Sequence, residues 1–346
     1  MKDLLSCTKS ELEEYLKELG EPRFRAGQVF SWLHNKEVRT FAEMTNLPAA
    51  LRNRLDAECL PIAPETERMQ ESAIDGTKKA LFRFHDGNLI ESVLMRYRFG
   101  NSVCVSSQAG CRMGCAFCAS TVAGLQRGLT AGEILAQVYA MERTLPEGER
   151  VSHVVVMGSG EPMENYDAVI RFFRLLADPD GRNLSLRNMT VSTCGIIPGI
   201  RRLAEEGIPV NLAISLHAPN DEIRRKLMPV AKRYPMDELL SACGDYFEAT
   251  GRRLTWEYAL ISGINDGDEH ARELVRRLAP YRGVVNLIPV NPVTERGLAA
   301  PSKDRVQHFL HLLTSGGLEA TVRRSLGRDI DGACGQLRSR YINDKT

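Results

Sequence analysis

The 346-residue sequence lacks long apolar runs, long low-complexity segments and a marked excess of either charge. A membrane-spanning helix needs about 18 or more consecutive apolar residues, and no run of that length occurs. The formal net charge is +1, so no overall positive field identifies a nucleic-acid-binding protein, and local patches would have to provide such contacts. The polar stretch from Met1 to Ser6 does not resemble a secretion signal. We therefore expect a cytoplasmic protein with no membrane partner.

The nine cysteines do not include the two separated C-x2-C pairs that are typical of a structural zinc site. Their odd number and the expected reducing compartment also argue against a disulfide framework. Cys111, Cys115 and Cys118 instead form a single C-x3-C-x2-C run. Three thiolates from one short loop are typical of an iron-sulfur cluster that leaves one iron open to an outside ligand. Gly110 and Gly114 give this loop the backbone freedom to curl around one metal group.

From Ser102 onward, patterns of buried strands alternate with patterns of helices, which is typical of a parallel sheet covered by helices. A capping box from Thr130 to Glu133 begins one of these helices. Apolar strand patterns cover residues 151–157, 188–193, 210–216, 254–261 and 284–290. With the strand that begins at Ser102, these make six strand–helix units, fewer than a closed barrel contains. The sequence therefore predicts an α/β fold in the form of a partial, six-unit β/α barrel.

The chain before this core has a different pattern. Residues 8–60 have helical periodicity and begin with a capping box from Thr8 to Glu11. Residues 79–95 alternate around an Asp86-Gly87 turn, which predicts a β-hairpin. We therefore predict an N-terminal helical module (1–60), a β-hairpin extension (61–100) and a core (101–340). The turns of the module carry cations that are equally consistent with a solvated rim and with docking of RNA phosphates, namely Arg23, Arg25, Lys36 and Arg39.

A set of mostly polar residues lies at the ends of the predicted strands of the core or just after them. They are Gly160, Glu161, Ser192, Ser215, His217 and Asn291. In parallel β/α folds, ligands bind at the C-terminal ends of the strands. A glycine turn, two hydroxyls, an imidazole and an amide suit a polar, zwitterionic nucleoside such as S-adenosylmethionine (SAM). The amino-carboxylate end of SAM is also a chelating ligand for the open iron of a cluster.

These motifs resemble a known family. The C-x3-C-x2-C run, with Phe117 before its last cysteine, resembles the radical SAM superfamily. A second group of motifs is more specific and resembles the RlmN/Cfr family of radical SAM enzymes, which methylate an adenine ring carbon of large-subunit ribosomal RNA. Its members in this chain are Asp75-Gly-Thr-Lys, Cys104-Val-Ser-Ser-Gln, residues 157–162, Ser192-Thr-Cys-Gly, residues 212–221, residues 286–292 and Ile330-Asp-Gly-Ala-Cys-Gly-Gln-Leu. The resemblance extends from the helical module to Gln336.

The resemblance implies a role for each candidate residue. Cys111, Cys115 and Cys118 would hold a [4Fe-4S] cluster. The residues implied to contact SAM are Gly160, Glu161, Ser192, Ser215, Leu216, His217 and Asn291. Cys334 would accept a methyl group from a first SAM, and Cys104 would resolve the RNA adduct by forming a disulfide. Glu91 matches the position of a proposed base.

The chemistry requires two cysteines besides the three cluster ligands. An adenine ring carbon is not nucleophilic, whereas a thiolate takes the methyl group of SAM by simple displacement. The resemblance implies that a second SAM, reduced through the cluster, gives a 5′-deoxyadenosyl radical that removes hydrogen from the methyl group on sulfur. The carbon radical then adds to the ring. Loss of one electron and the ring proton, with attack by Cys104, frees the product.

We predict the carbon-2 branch of the family from Gly160-Glu-Pro162 and Leu287-Ile-Pro-Val. The implied partners are 23S rRNA, tRNA as a second substrate, and an electron donor such as flavodoxin or ferredoxin, with the enzyme acting as a monomer. The carbon-8 branch shares every catalytic residue and stays open as an alternative. An iron-sulfur redox protein is the alternative from another class, and it would need neither Cys334 nor the polar strand ends.

Overall fold

A computed structural model describes residues 1–290, 297–330 and 335–343 of the chain. The helices are α1 (Lys9–Glu18), α2 (Phe24–His34), α3 (Ala49–Glu58), α4 (Ala131–Glu142), α5 (Tyr166–Ala177), α6 (Ile197–Glu205), α7 (Asp221–Leu227), α8 (Met236–Thr250), α9 (Asp268–Leu278), α10 (Lys303–Ser315) and α11 (Gln336–Asn343). The strands are β1 (Glu65–Glu71), β2 (Lys78–Arg83), β3 (Leu89–Tyr97), β4 (Gly100–Val105), β5 (Gln108–Gly110), β6 (Leu125–Gly128), β7 (Val151–Val156), β8 (Met189–Thr193), β9 (Asn211–Ser215), β10 (Leu254–Leu260), β11 (Gly283–Pro289) and β12 (Glu319–Val322). Short 3-10 turns join several of these elements.

One ten-stranded sheet organises the molecule, in the order β1-β2-β3-β4-β7-β8-β9-β10-β11-β12. The strands from β4 and β7 to β12 are parallel, whereas β1 to β4 pair antiparallel. The predicted α/β fold with six strand–helix units is confirmed, and β12 adds a further parallel strand at the edge. Because parallel strands end at the same edge of the sheet, their C-terminal residues face one common space.

Local sequence signals place the helices that cover the sheet. Both predicted capping boxes are present, since Thr8 and Thr130 each exchange hydrogen bonds with the glutamate three residues later. Helix α4 is buried on almost every face because the N-terminal turn lies against it. The hydroxyl of Thr130 donates to Asp3 at 2.5 Å, and the amide of Gly132 donates to Ser6 Oγ at 2.6 Å.

The N-terminal helices share their core with the rest of the protein. Within the predicted helical region 8–60, Pro48 separates a 3-10 turn at Phe41–Glu43 from α3. Apolar side chains of α1 to α3 belong to the same buried cluster as those of the sheet and its outer helices. Within the described residues, no helix is long and apolar enough to cross a membrane.

The predicted hairpin is present as β2 and β3 around the Asp86-Gly87 turn, and β1 adds a third antiparallel strand. β3 also pairs with β4, so the extension and the parallel strands form one continuous sheet. Glu91 in β3 and Cys104 in β4 therefore lie on neighbouring strands.

Candidate active site

A cavity of about 570 Å³ lies at the C-terminal ends of the parallel strands. Ten of the thirteen predicted site residues line it, namely Glu91, Cys104, Cys111, Cys115, Cys118, Gly160, Glu161, Ser192, Ser215 and His217. The side chain of Leu216 is instead buried in the core of the sheet. Asn291 and Cys334 lie outside the described residues. The structure thus brings together residues that are scattered over most of the core sequence.

The loop that carries the three clustered cysteines curls as its glycines predict. Gly110 has a φ of +83°, and a Cβ at this position would lie 1.9 Å from the carbonyl oxygen of Gly124, so only glycine fits. Burial raises the pKa of the Cys115 thiol and of the Cys118 thiol. A positively charged metal group would offset that cost and bind the thiolates.

The three thiols suit a cluster better than a single ion. Among the described residues, no group of three histidine, cysteine, aspartate or glutamate side chains could hold one metal ion. Each thiolate of an iron-sulfur cluster binds a different iron, which keeps its cysteines farther apart than the ligands of one ion. Cys115 also packs among Leu227, Met228 and Ile261, and this apolar shell limits the access of water to the loop. The residues present therefore fit a [4Fe-4S] cluster.

The buried side chain of Glu161 links the ends of β7 and β8 through hydrogen bonds. Its carboxylate accepts hydrogen bonds from the hydroxyl of Thr193 at 2.6 Å, the amide of Cys194 at 2.8 Å and the amide of Met163 at 3.0 Å. Burial raises the pKa of this carboxyl, and these hydrogen bonds oppose the rise. Because both oxygens are occupied within the chain, Glu161 orients the backbone that follows β7 and β8.

His217 presents one defined nitrogen as a donor. Its Nδ1 accepts a hydrogen bond from the amide of Ala259 at 2.8 Å, so the neutral ring carries its proton on Nε2. Burial, together with a smaller effect of the charge of Arg224, lowers the pKa of His217 to about 3, which keeps the ring neutral at ordinary pH. The ring of Phe117, in the cysteine loop, meets it edge to face at 4.6 Å between centroids. His217 thus links the end of β9 to that loop.

Glu91 is buried against the C-terminal helix. Its carboxylate accepts hydrogen bonds from the amide of Gly335 at 2.7 Å and from the amide of Arg338 at 2.7 Å. The ammonium of Lys79 lies 3.0 Å from the same carboxylate. A Cβ on Gly335 would lie 2.7 Å from the amide nitrogen of Ser120, so this residue is wedged beside the end of the cysteine loop.

A second contact holds the chain just before the undescribed residues 331–334. The amide of Gly327 donates to Asp75 at 2.9 Å. Asp329 accepts from the hydroxyl of Ser72 at 2.5 Å and from the amide of Ala73 at 2.8 Å. The antiparallel extension therefore binds the C-terminal chain on both sides of the segment that contains Cys334.

Sequence reasoning missed several residues of the cavity wall. Glu257 on β10 lines the cavity, accepts a hydrogen bond from Asn286 at 2.9 Å and has its pKa raised by burial. Its signal in the sequence is a carboxylate between two aromatic residues in an apolar strand. Three exposed arginines also line the cavity after β12, namely Arg323, Arg324 and Arg328.

Two family models match the chain. Residues 2–60 match the ribosomal RNA large subunit methyltransferase N-terminal domain, and residues 105–275 match the radical SAM superfamily. A protein named probable dual-specificity RNA methyltransferase RlmN from Symbiobacterium thermophilum is 56% identical over 95% of this chain and 89% of its own length. Its namesake from Lachnoclostridium phytofermentans is 52% identical over 99% of this chain and 96% of its own length.

A solved structure has the same fold over almost the whole chain. It is the crystal structure of a radical SAM methyltransferase from Sphaerobacter thermophilus, with 46% identity, a TM-score of 0.94 and coverage of 97% of this chain and 99% of that one. Radical SAM proteins bind a [4Fe-4S] cluster and SAM, so the predicted family and cofactors are confirmed. The chain belongs to the RlmN family of RNA methyltransferases within the radical SAM superfamily.

Proposed function

We propose that the protein methylates carbon 2 of an adenosine in 23S rRNA, and of an adenosine in tRNA, through a methyl group carried on Cys334. Each turnover uses two SAM molecules. One observation carries the proposal: the cavity is lined by the three clustered cysteines and Cys104, and Gly335, next in sequence to Cys334, contacts the end of the cysteine loop. The names of the relatives support RNA as the substrate class.

Within this cavity, Cys111, Cys115 and Cys118 hold the cluster. When bound, the reduced cluster supplies the electron that cleaves SAM to a 5′-deoxyadenosyl radical. The hydroxyls of Ser192 and Ser215 and the Nε2–H of His217 are donors for the polar groups of SAM, and Asn291 completes this set as a prediction. Glu161 contributes through the backbone that it orients, beginning at Gly160.

The two remaining cysteines carry the methyl transfer. The Cys334 thiolate attacks the methyl carbon of a first SAM, S-adenosylhomocysteine leaves, and the Cys334 sulfur keeps the methyl group as a methyl thioether. The 5′-deoxyadenosyl radical takes a hydrogen atom from this methyl group, and the resulting carbon radical adds to the adenine ring. The adduct then loses the ring proton and one electron, which the oxidised cluster would accept. The Cys104 thiolate then attacks the Cys334 sulfur, which forms a disulfide and breaks the bond from that sulfur to carbon, and the released carbon takes up a proton to become the methyl group. Cys104 lines the cavity from β4, in register with Val155 of β7.

Two features at the cavity mouth support an RNA substrate. Arg323 and Arg324 line the cavity, and neither forms an ion pair with a carboxylate among the described residues, so their charges can meet phosphates. Burial raises the pKa of the Tyr97 hydroxyl, and these nearby arginines oppose the rise. Tyr97 also lines the cavity, and the ring of Phe99 stacks on it at 4.8 Å while staying 65% exposed.

An exposed aromatic ring that leads from a cavity wall to the surface is a platform on which a nucleobase can stack. We therefore assign Phe99 to the nucleotide beside the target adenosine and the two arginines to its phosphates. The electron donor is a small protein such as flavodoxin or ferredoxin, and the enzyme acts as a monomer.

The experiment is nucleoside mass analysis of ribosomal RNA and tRNA after reaction with the reconstituted protein, SAM and a reductant. We expect 2-methyladenosine with the native chain and none with Cys334→Ala. Formation of 8-methyladenosine would instead support the carbon-8 branch. Cleavage of SAM without any methylated adenosine in either RNA would contradict the proposal.

A further inference from the structure

We propose that the buried ion pair of Lys79 and Glu91 positions the start of helix α11 against the cysteine loop, and so constrains the chain from which Cys334, the residue before Gly335, extends. This inference rests on the proposed function in so far as Cys334 is the methyl acceptor. It gives Glu91 a different role from the base that the family resemblance implies. It also gives Lys79 a role, although no sequence motif points to this lysine.

The contacts of Glu91 are those of an anchor. Both carboxylate oxygens are hydrogen-bonded to main-chain amides, one to Gly335 and the other to Arg338, each at 2.7 Å. These amides lie at the start of α11, where unpaired N–H groups and the helix dipole favour a carboxylate. Glu91 is 5% exposed, so few water molecules compete for these bonds. A base would instead need an oxygen that is open towards the adenine ring.

Lys79 offsets the cost of burying the charged carboxylate of Glu91. Its side chain is fully buried, and its ammonium lies 3.0 Å from Glu91 Oε2. The two residues lie on paired strands, since Lys79 is opposite Val93 and Glu91 is opposite Leu81. A buried charge persists only when it is paired and hydrogen-bonded. The paired strands β2 and β3 therefore hold the carboxylate of Glu91 in a fixed place. A fixed carboxylate can position the start of α11 accurately.

Gly335 connects Glu91 to the end of the cysteine loop. It lies between Glu91 and the turn after Cys118, so close that a Cβ would be 2.7 Å from the Ser120 amide nitrogen and 3.0 Å from the Ala119 carbonyl carbon. Cys334 is the next residue in the sequence. A displacement of Gly335 would therefore shift the thiol relative to the methyl group of SAM, and displacements of about 1 Å at a reacting centre can cost about a hundredfold in rate.

The test compares Glu91→Gln with the native protein in the absence of RNA. Gln keeps one acceptor oxygen, but its amide group cannot accept the second main-chain hydrogen bond. We expect normal iron content and SAM binding, methylation of Cys334 slowed about tenfold or more, and faster hydrogen exchange at the amides of Gly335 and Arg338. A base role predicts the opposite pattern, with native methylation of Cys334 and a block only after RNA is added. That pattern would overturn the proposal.

Two further variants separate positioning from folding. Lys79→Met alone leaves a buried carboxylate unpaired, whereas Lys79→Met combined with Glu91→Leu removes both charges. The double variant should regain thermal stability, because apolar residues can replace a buried ion pair. It should still methylate Cys334 slowly, because α11 has lost its anchor. Recovery of stability and methylation together would mean that the pair only stabilises the fold.

A matched control is the loop carboxylate Glu149, whose partner Arg96 lies on the same strand as Glu91. Arg96 and Glu149 form a partly exposed ion pair at 2.5 Å, and Glu149→Gln should leave the exchange of Gly335 and the methylation of Cys334 unchanged. If the native protein never methylates Cys334, the proposed function fails, but the exchange measurement still decides whether Glu91 anchors α11. Unchanged exchange in Glu91→Gln would then overturn the positioning role by itself.

Discussion

At the residue scale, the three clustered cysteines are the part of the site with the clearest test. Replacing Cys111, Cys115 or Cys118 by Ala leaves two thiolates, too few to retain a cluster with one open iron. We expect loss of iron and of the absorbance near about 400 nm in each variant. Cys243→Ala is the matched control, because this cysteine lies on the buried face of α8 and is not among the residues that line the cavity. Retention of both the cluster and SAM cleavage in any of the three loop variants would refute the ligand assignment.

Cys104 and Cys334 should fail at different steps. Cys334→Ala should keep the cluster and bind SAM but never carry a methyl group. Cys104→Ala should still methylate Cys334 and attack the base, and should then stall as a covalent protein–RNA adduct because the resolving thiolate is absent. Denaturing gel electrophoresis detects such an adduct, and replacing Cys334 as well should abolish it. Normal methyl transfer by either single variant would rule out this division of roles.

His34 should make the stability of the protein depend on pH. Its ring is fully buried beside Phe30 and 3.1 Å from the Tyr139 hydroxyl, and burial lowers its pKa from 6.5 to about 3. Between these values the unfolded chain binds a proton that the folded protein excludes, so stability falls as the pH falls below 6.5. This one residue contributes a loss of about 1.4 kcal/mol per pH unit.

The measurement is the free energy of unfolding at pH 7 and pH 5 for the native protein and for His34→Gln. The variant should lose about 2 kcal/mol less than the native protein between these values, whatever its stability at pH 7. The comparison isolates His34, because His217, which is also buried and neutral, contributes equally to both proteins. An identical pH dependence of the two proteins would contradict the assignment.

At the scale of elements, two segments should contact RNA: the residues that follow β12 and the turn between β3 and β4. Replacing Arg323 and Arg324 by Ala should weaken RNA binding and lower the salt dependence of binding by about one unit of slope per arginine. Phe99→Ala should weaken binding without changing that slope, because stacking releases few ions. Filter binding over a range of salt concentrations measures both quantities.

The matched control for the arginine pair is Arg272→Ala combined with Arg276→Ala. These residues are 71% and 76% exposed on the outer helix α9, so the charge change is the same at a distant surface. An equal loss of RNA affinity in the control would mean that only total charge matters. Native affinity after loss of Arg323 and Arg324 would remove β12 from the RNA interface.

At the scale of the whole molecule, the N-terminal helices should be inseparable from the rest of the fold. Leu4 and Leu12 are at most 1% exposed, and they belong to the same buried cluster as the sheet. Deleting residues 1–60 should therefore expose a large apolar surface and cause aggregation or a much lower melting temperature. Size-exclusion chromatography and thermal denaturation would detect this. Native melting behaviour of the truncated chain would show that the helices form a separable module.

The docking role of these helices needs a different measurement. Of the cations predicted to meet RNA, Arg23 is paired with Glu13 at 2.8 Å, and Arg25 lies 3.7 Å from Glu21. The ammonium of Lys36 lies over the ring of Trp32. Nearby glutamates partly neutralise these arginines, so the helices have less positive charge available for RNA phosphates than the sequence indicates. Alanine substitutions at exposed Lys36 and Arg39 would test docking without removing core residues.

Local patterns determined much of this protein. Helix caps at Thr8 and Thr130, the Asp86-Gly87 turn and the apolar strand runs depend on contacts between near neighbours, so they could be read from the sequence and they agree with the structure. The cysteine spacing with Gly110 likewise predicted a curled loop, and the close approach of Gly110 to Gly124 agrees with that curl. The motif at Cys104 and Cys334 identified the family before any geometry was known, because their flanking residues are specific.

Only the tertiary structure decided how distant segments meet. No local pattern relates Lys79 to Glu91, or Glu91 to Gly335, since these contacts depend on strand register and on the path of the C-terminal chain across the extension. Similarly, the sequence predicted Glu161 as a candidate site residue after a strand, but only the structure shows that both of its oxygens accept hydrogen bonds, from the hydroxyl of Thr193 in β8 and from neighbouring main-chain amides. The physical reason is that a buried charge is stable only beside its partners. These partners are far away in the sequence, and only the folding of the whole chain brings them within hydrogen-bonding distance.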